Sequence, residues 1–377
     1  MIRRPIDDIS EADLVALVDN GVAEGRSLEF KRQIPGGSDA DVKELLADIT
    51  SLANAQDGDI VFGLEDSDGV ASNLIGLESD SVDTAILRLE NILRDGVEPR
   101  LTGTRFRWID LANERGALVT RVPASVAAPH RIRFKNSGRF YNRNSRGKYE
   151  MDTHELREAF TAAGQMPVKL RELHNVAVGT AKGVALPFRL HDAPSAVISV
   201  VPLSFLRNLL DLPITPENIP IPVGASSISY LHTLEGIAIR TPLDEDDKVR
   251  SYTLTHRSGR VDAAWTIGGV RPSNGEMRKI IWPKSFREGV VDMARAATTR
   301  LRQLGVEGPW VLFASVFGLN GFMIFLDQFY GSDPAWRSEA SLPEIIADDL
   351  SEDALKPILD AFPLLFGIPP AEFTYPT

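Results

Sequence analysis

The 377-residue sequence contains no cysteine. That absence excludes disulfides, thiolate zinc sites and a cysteine nucleophile, and it fits the reducing cytoplasm where we expect the protein. No G-x-x-x-x-G-K-[ST] loop occurs, so ATP binding through a P-loop is unsupported. No G-x-S-x-G elbow occurs either, and His174, His191, His232 and His256 are scattered without metal-ligand spacing, which makes each a surface or core residue by expectation. The opening residues, MIRRPIDDISEAD, are charged and lack the apolar core of a signal peptide. Only residues 309–329, PWVLFASVFGLNGFMIFLDQF, approach the length of about 20 apolar residues that spans a bilayer. Gly318, Asn320 and Gly321 interrupt them, so the stretch predicts two buried strands joined by an Asn-Gly turn and no membrane association.

Positive charge is also scarce. The formal net charge is −11, with 43% apolar and 25% charged residues, an ordinary globular balance that suits two domains. A surface this acidic does not attract nucleic acid indiscriminately, so any such contact needs a local basic patch. One segment supplies it. From Arg115 to Tyr149 there is no Asp or Glu, while nine Lys and Arg residues occur, with Phe134, Phe140, Tyr141 and Tyr149 interleaved. Cations neutralise phosphates and aromatic rings stack on unpaired bases. The alternative is a hairpin whose basic face pairs with the acidic remainder.

The patterning predicts an α/β (α+β) fold in two domains, residues 1–165 and 166–377. In the first, SEADLVALVDNG reads as a helix with a Ser10/Asp13 capping box, and SLEFKRQ as a strand with Leu28 and Phe30 on one face and Glu29 and Lys31 on the other. SDADVKELLADITSLANAQ follows as an amphipathic helix capped at Ser38, then a buried strand from Ile60 to Leu64, an Asp68-Gly69 turn, a helix over 82–95 and strands near 104–109 and 116–122. A hairpin over 131–150 runs into a short helix starting at Asp152-Thr153. The second domain is a mixed, strand-rich α+β module with a helix from Ser285 to Leu304 and a mostly helical tail from Leu342 to Phe366. Its acidic Asp244–Asp247 run reads as a solvated turn.

Glu24 precedes the first strand, Glu29 lies within it, and Glu65 and Asp66 end the second. If those strands are neighbours, Glu24, Glu29 and Asp66 converge. Carboxylates held together must bind a cation or take up a proton, and hard oxygen ligands suit Mg2+ or Mn2+. A cation so held activates water against a phosphodiester. The bland reading leaves these acids structural or paired with Arg26 and Arg32.

Three motifs in order, EGRSLEFKRQ, LADITSLANAQDGDIVFGLED and RFYNRNSRGKYEM, resemble the Schlafen-type AlbA-like (AlbA_2) domain of bacterial proteins over about residues 10–165. The resemblance implies a layered fold with a basic β-hairpin, and a metal-dependent endoribonuclease triad at Glu24, Glu29 and Asp66 acting on structured RNA such as tRNA. It favours RNA over DNA, with Lys31 as a phosphate contact. The nucleic-acid-binding residues expected on these grounds are Lys31, Arg131, Arg133, Lys135, Arg139, Tyr141, Arg143, Arg146 and Lys148. Asn54 and Gly58 match the family's turn before the second strand, whereas Ala55, Asp57 and the Arg143-Asn144-Ser145 step depart from it. The rival expectation is a non-catalytic DNA-binding regulator. In either case the second domain is expected to serve specificity, sensing or homo-oligomerisation, as bacterial defence nucleases often carry such halves.

Overall fold

The computed structural model describes residues 1–377 except 3, 79–80, 126, 207–210, 274–275, 326–330 and 377. The chain divides into two compact units. The first comprises Met1–Pro167 with the short segments 206–208 and 305–309, and the second comprises the rest. Among the described residues no helix is long and apolar enough to cross a membrane.

The first unit contains α1 (Glu11–Asp19), β1 (Leu28–Lys31), α2 (Asp39–Ala55), β2 (Gly58–Phe62), β3 (Leu64–Ser67), β4 (Val70–Leu74), α3 (Val82–Gly96), β5 (Val97–Glu98), β6 (Arg105–Asp110), β7 (Gly116–Val122), β8 (Arg131–Ile132), β9 (Tyr141–Asn144) and β10 (Gly147–Glu150). Its central sheet has the order β1-β2-β7-β6. The β1–β2 pair is parallel, with Glu29 opposite Ile60, and the remaining pairs are antiparallel. Parallel neighbours need a crossover, which α2 supplies. The helix starts where expected, with Ser38 Oγ accepting from the Asp41 N–H at 3.2 Å. Its apolar stripe of Leu45, Leu46, Ile49 and Leu52 packs with Ile60, Phe62 and Leu118 from one face of the sheet and with Leu89 and Leu93 of α3. On the other face Leu28, Phe30, Val61 and Val119 pack with Ile2, Ile6, Ile9 and Leu14. Both faces of the sheet are therefore covered, and Glu29 is buried beneath α2 at 8% exposure.

Two glycine positions shape the entry to the site. A Cβ on Gly58 would stand 2.6 Å from Leu52 Cδ2 and 2.7 Å from the Ser27 carbonyl oxygen, so only glycine lets β2 pass there. The β3–β4 hairpin turns at Asp68 and Gly69 with φ of 53° and 75°, as an Asp-Gly turn should.

The second unit contains β11 (Arg189–Leu190), β12 (Ser195–Pro202), β13 (Ser229–His232), β14 (Gly236–Arg240), β15 (Lys248–Val249), β16 (Ser251–His256), β17 (Val261–Thr266), β18 (Gly268–Ser273), β19 (Glu276–Ile281), α5 (Pro283–Gln303), β20 (Trp310–Phe317), β21 (Glu339–Ser341), β22 (Ile345–Ala347) and α6 (Glu352–Leu364). An eight-stranded sheet runs β13-β14-β16-β17-β12-β20-β21, with β22 also on β20. Phe286, Val290, Ala294, Ala297 and Leu301 line the buried side of α5. In the Asp244–Asp247 turn, Asp244 Oδ1 accepts the N–H groups of Asp246 and Lys248 at the surface.

Three expectations are corrected. The helix after the hairpin, α4, is not short: it runs from Thr153 to Ala181 through Pro167. Proline forfeits one helical hydrogen bond, and Pro167 sits at an exposed position of the helix. In the 309–329 stretch the first strand forms as β20, but the segment after Gly321 does not fold back along it. Met323 bridges Ile280 of β19 in parallel, while β20 pairs with β12, β21 and β22. Residues 326–329 of the expected second strand lie outside the described residues. The tail is less helical than expected, because β22 precedes α6.

Candidate nucleic-acid interface

Because β1 and β2 are neighbours, the acids at their ends approach one another. The Glu24 backbone N–H donates to the Gly69 carbonyl at 2.7 Å, which holds Glu24 beside the β3–β4 turn. Its Oε1 accepts the Phe30 N–H at 2.7 Å. Asp66 Oδ2 accepts the Gly69 N–H at 3.0 Å. Burial raises the Glu24 carboxyl above the usual range. The Phe30 hydrogen bond offsets part of that rise, and repulsion from Glu29 and Asp66 adds to it. Glu24 thus lies within electrostatic reach of both Glu29 and Asp66.

Glu29, however, is already neutralised. Lys31 Nζ donates to its Oε1 at 2.6 Å, and the Arg143 guanidinium donates to its Oε2. Burial pushes the Glu29 carboxyl up, but Arg143 and Lys31 outweigh that and hold it below the usual range. Arg143 itself is 3% exposed, and its Nε and Nη1 have no hydrogen-bond partner among the described residues. Asp48, from the buried side of α2, completes the cluster: its Oδ1 accepts from Lys148 Nζ at 2.7 Å, and its Oδ2 lies 3.3 Å from Lys31 Nζ. Burial first and Glu29 second raise the Asp48 carboxyl. Among the described residues no three His, Asp or Glu side chains are arranged to hold a metal ion. A Mg2+ or Mn2+ ion at Glu24, Glu29 and Asp66 does not fit this arrangement, since both Glu29 oxygens are engaged by cations.

The basic segment forms β8, β9 and β10, with Lys148 opposite Arg143 in the β9–β10 hairpin. It is held against α2 by Asn54. The Asn54 amide donates to the carbonyls of His130 and Tyr141, each at 2.8 Å, and its Oδ1 accepts the His130 N–H at 2.6 Å. The family turn residue is thus a staple. Asn54→Ala is expected to cost about 2 kcal/mol, three net hydrogen bonds minus relaxation. Urea unfolding checks the cost, and amide exchange should quicken first over 130–144.

The predicted basic contact residues fall into three groups. Lys31, Arg143 and Lys148 belong to the charge cluster under α2 and face carboxylates rather than open solvent. Arg131, Lys135 and Arg139 are exposed and form single ion pairs with Glu98, Asp39 and Glu150. Arg133 and Arg146 are exposed without an ion-pair partner among the described residues. The interleaved aromatics serve packing: Phe134 and Tyr141 rest on the α2 core, Phe140 meets Phe160 edge-on at 5.9 Å, and Tyr149 donates to Glu155 at 2.7 Å. Beside the staple lies a cleft of about 350 Å³ lined by Asn54, Asn142, Met151, Glu155 and Glu158.

Sequence reasoning passed over several polar residues that the fold brings together. Asp48 was recoverable as a lone carboxylate between Leu45 and Leu52 on a buried helical stripe. Asp59 and Arg121, 0% and 3% exposed, form a bidentate pair across β2 and β7 at 2.8 and 3.0 Å. In the second unit, Ser199 Oγ donates to Asp262 at 2.7 Å, and His174 bonds Ser199 and Ser315, each at 2.9 Å. His256 and Arg260 contact the other Asp262 oxygen at 2.8 and 3.1 Å. His174 and His256 are core residues, as expected, but share one network.

No curated protein matches the chain. Among solved structures, the DIP2311 protein from Corynebacterium diphtheriae aligns at 17% identity and a TM-score of 0.25, over 37% of this chain. The alignment spans 27% of that protein's own length. Residues 24–152, which hold the acidic cluster, the staple and the basic hairpin, match the family model described as Schlafen, AlbA_2, and the chain carries a Schlafen AlbA_2 domain across that segment.

Proposed function

We propose that the first unit binds RNA along the outer edge of the 131–150 hairpin, with the second unit as an accessory module. The family associates the domain with nucleic acid. The observation that carries the reading is the acid-free segment folding into a stapled hairpin with Arg133 and Arg146 exposed and unpaired among the described residues. The exposed pairs of Arg131, Lys135 and Arg139 support it. Such exposed, solvent-screened pairs contribute little, so a phosphate exchanges readily for the carboxylate. The buried cations act indirectly, by fixing the hairpin against α2.

The test is fluorescence anisotropy with labelled tRNA, single-stranded RNA and duplex DNA at several salt concentrations. The double variant Arg133→Gln/Arg146→Gln is expected to weaken RNA binding about tenfold and to flatten the log K against log salt slope by about 1.4, near 0.7 per single-strand phosphate contact. Equal affinity for parent and variant would sink the reading. Tighter binding to duplex DNA would favour the regulator.

A metal-dependent endoribonuclease is the second reading, favoured by the repulsion that Glu29 and Asp66 exert on Glu24. It requires Glu29 to leave Lys31 and Arg143 when substrate enters. Cleavage of tRNA in Mn2+ but not EDTA, lost in Glu24→Gln, would support it. Glu24 is the better position to vary because Glu29 also holds the fold.

A further inference from the structure

The second unit carries its own cationic surface, on the two-stranded β18–β19 hairpin. Residues 268–282 hold three cations, Arg271, Arg278 and Lys279, and one acid, Glu276, within a chain of net charge −11. Arg271 stands directly opposite Arg278 across the two strands. Directly opposed residues of an antiparallel pair project from the same face, so two guanidinium groups share it. Like charges so placed destabilise a hairpin unless something neutralises them. Elsewhere this protein does so with carboxylates, as at Arg131, Lys135 and Arg139. Here no ion pair is made by Arg271, Arg278 or Lys279 among the described residues, although Glu276 lies two residues from Arg278 on the same face.

The cations are nevertheless held in position. The Arg271 guanidinium lies over the Trp282 ring at 5.1 Å, that of Arg278 over Phe325 at 5.3 Å, and Lys279 Nζ over Phe322 at 5.6 Å. A ring beneath a guanidinium restricts it without cancelling its charge or using its N–H donors. Val270 and Met277 on the opposite face are 50% and 66% exposed. The result is a pair of pre-oriented forks whose donors have no partner among the described residues, and such forks suit bidentate contact with phosphate oxygens.

We infer that Arg271 and Arg278 form a phosphate clamp for the backbone of single-stranded nucleic acid, a second contact surface that stands independently of the hairpin in the first unit. The rings are occupied by cations and not offered to bases, so the clamp reads backbone and not sequence.

The test measures binding of the full chain to a labelled single-stranded RNA and to poly-glutamate, across about 50–200 mM salt. Arg271→Gln/Arg278→Gln is compared with Arg133→Gln/Arg146→Gln and with Arg271→Lys/Arg278→Lys. The first is expected to weaken RNA binding and reduce the salt slope by about 1.4, for two phosphate contacts. The lysine pair keeps the charge and should retain most of the slope, which separates lost contact from lost folding. Unchanged affinity and slope in Arg271→Gln/Arg278→Gln overturns the clamp. If only the Arg133/Arg146 variant loses binding, the clamp falls and the first-unit reading stands. If only the Arg271/Arg278 variant loses binding, the clamp stands and the first-unit reading falls. A parent that binds no RNA overturns both. Loss of poly-glutamate binding with RNA binding intact also overturns the clamp, in favour of an acidic protein partner.

Discussion

Glu29→Ala is expected to lower the unfolding free energy of the first unit by about 3–5 kcal/mol, the usual consequence of stranding one member of a buried ion pair. Arg143 is 3% exposed and finds its only carboxylate partner among the described residues in Glu29. Removing Glu29 would leave the guanidinium charged in a nearly dry site, with Asp48 still balanced by Lys31 and Lys148. Arg143→Met should cost less, because Glu29 keeps Lys31 as a partner at 2.6 Å. The double variant Glu29→Ala/Arg143→Met should recover much of the loss, because a buried pair replaced by apolar groups is often neutral. Urea unfolding of the four proteins checks this, and additive losses would refute it. The result matters for function, because silence of Glu29→Ala in a cleavage assay reports on folding before it reports on catalysis.

The second large effect is a loss of stability in acid that traces to His174. Burial pushes its imidazole down from 6.5 to about 4, with Asp262 partly opposing and Arg260 assisting. Ser199 donates to Asp262, so its oxygen accepts from His174 Nδ1, while His174 Nε2 meets the Ser315 hydroxyl at 2.9 Å. Burial also pushes the Asp262 carboxyl up, but Arg260 and His256 more than compensate and keep it charged. The sign follows from proton counts. Below pH 6.5 the unfolded chain binds a proton at this position that the native state refuses, so stability rises with pH between about 4 and 6.5. The contribution is intact above 6.5 and falls away towards pH 4, by about 3 kcal/mol at about 1.4 kcal/mol per pH unit. Denaturation of the parent and of His174→Gln at pH 7 and pH 4.5 isolates it: the gap between the two proteins should narrow in acid. A gap independent of pH would exclude His174 as the source.

Much of the first unit was legible because its signals are local. The capping residues Ser10 and Ser38, the α2 stripe and the Asp68-Gly69 turn each declare themselves within a few residues. The approach of Glu24 to Glu29 and to Asp66 followed from β1 and β2 being neighbours. What remained hidden was pairing at long range. Residue spacing cannot reveal that Arg143 reaches 114 positions back to Glu29, or that Lys148 meets Asp48. The basic segment therefore read as open surface, although part of it neutralises the acids beneath α2. Phe134, Phe140 and Tyr141 read as stacking platforms for the same reason, since packing partners are invisible in sequence. The length of α4 was hidden because proline reads as a helix end, and its tolerance at the exposed position 167 is a property of the fold.

The apolar residues ahead of α1 carry a consequence for where the folding unit begins. The family match starts at residue 24, yet Ile2, Ile6 and Ile9 are buried against Leu28, Phe30 and Val119. The Ile2 N–H donates to Asp59 at 2.7 Å, and its carbonyl accepts from Arg121 at 2.9 Å. A fragment trimmed to the boundary of the family match would strip one side of the sheet down to bare hydrocarbon and open the driest ion pair to water. The homology segment and the smallest piece able to stand alone are therefore different lengths of chain.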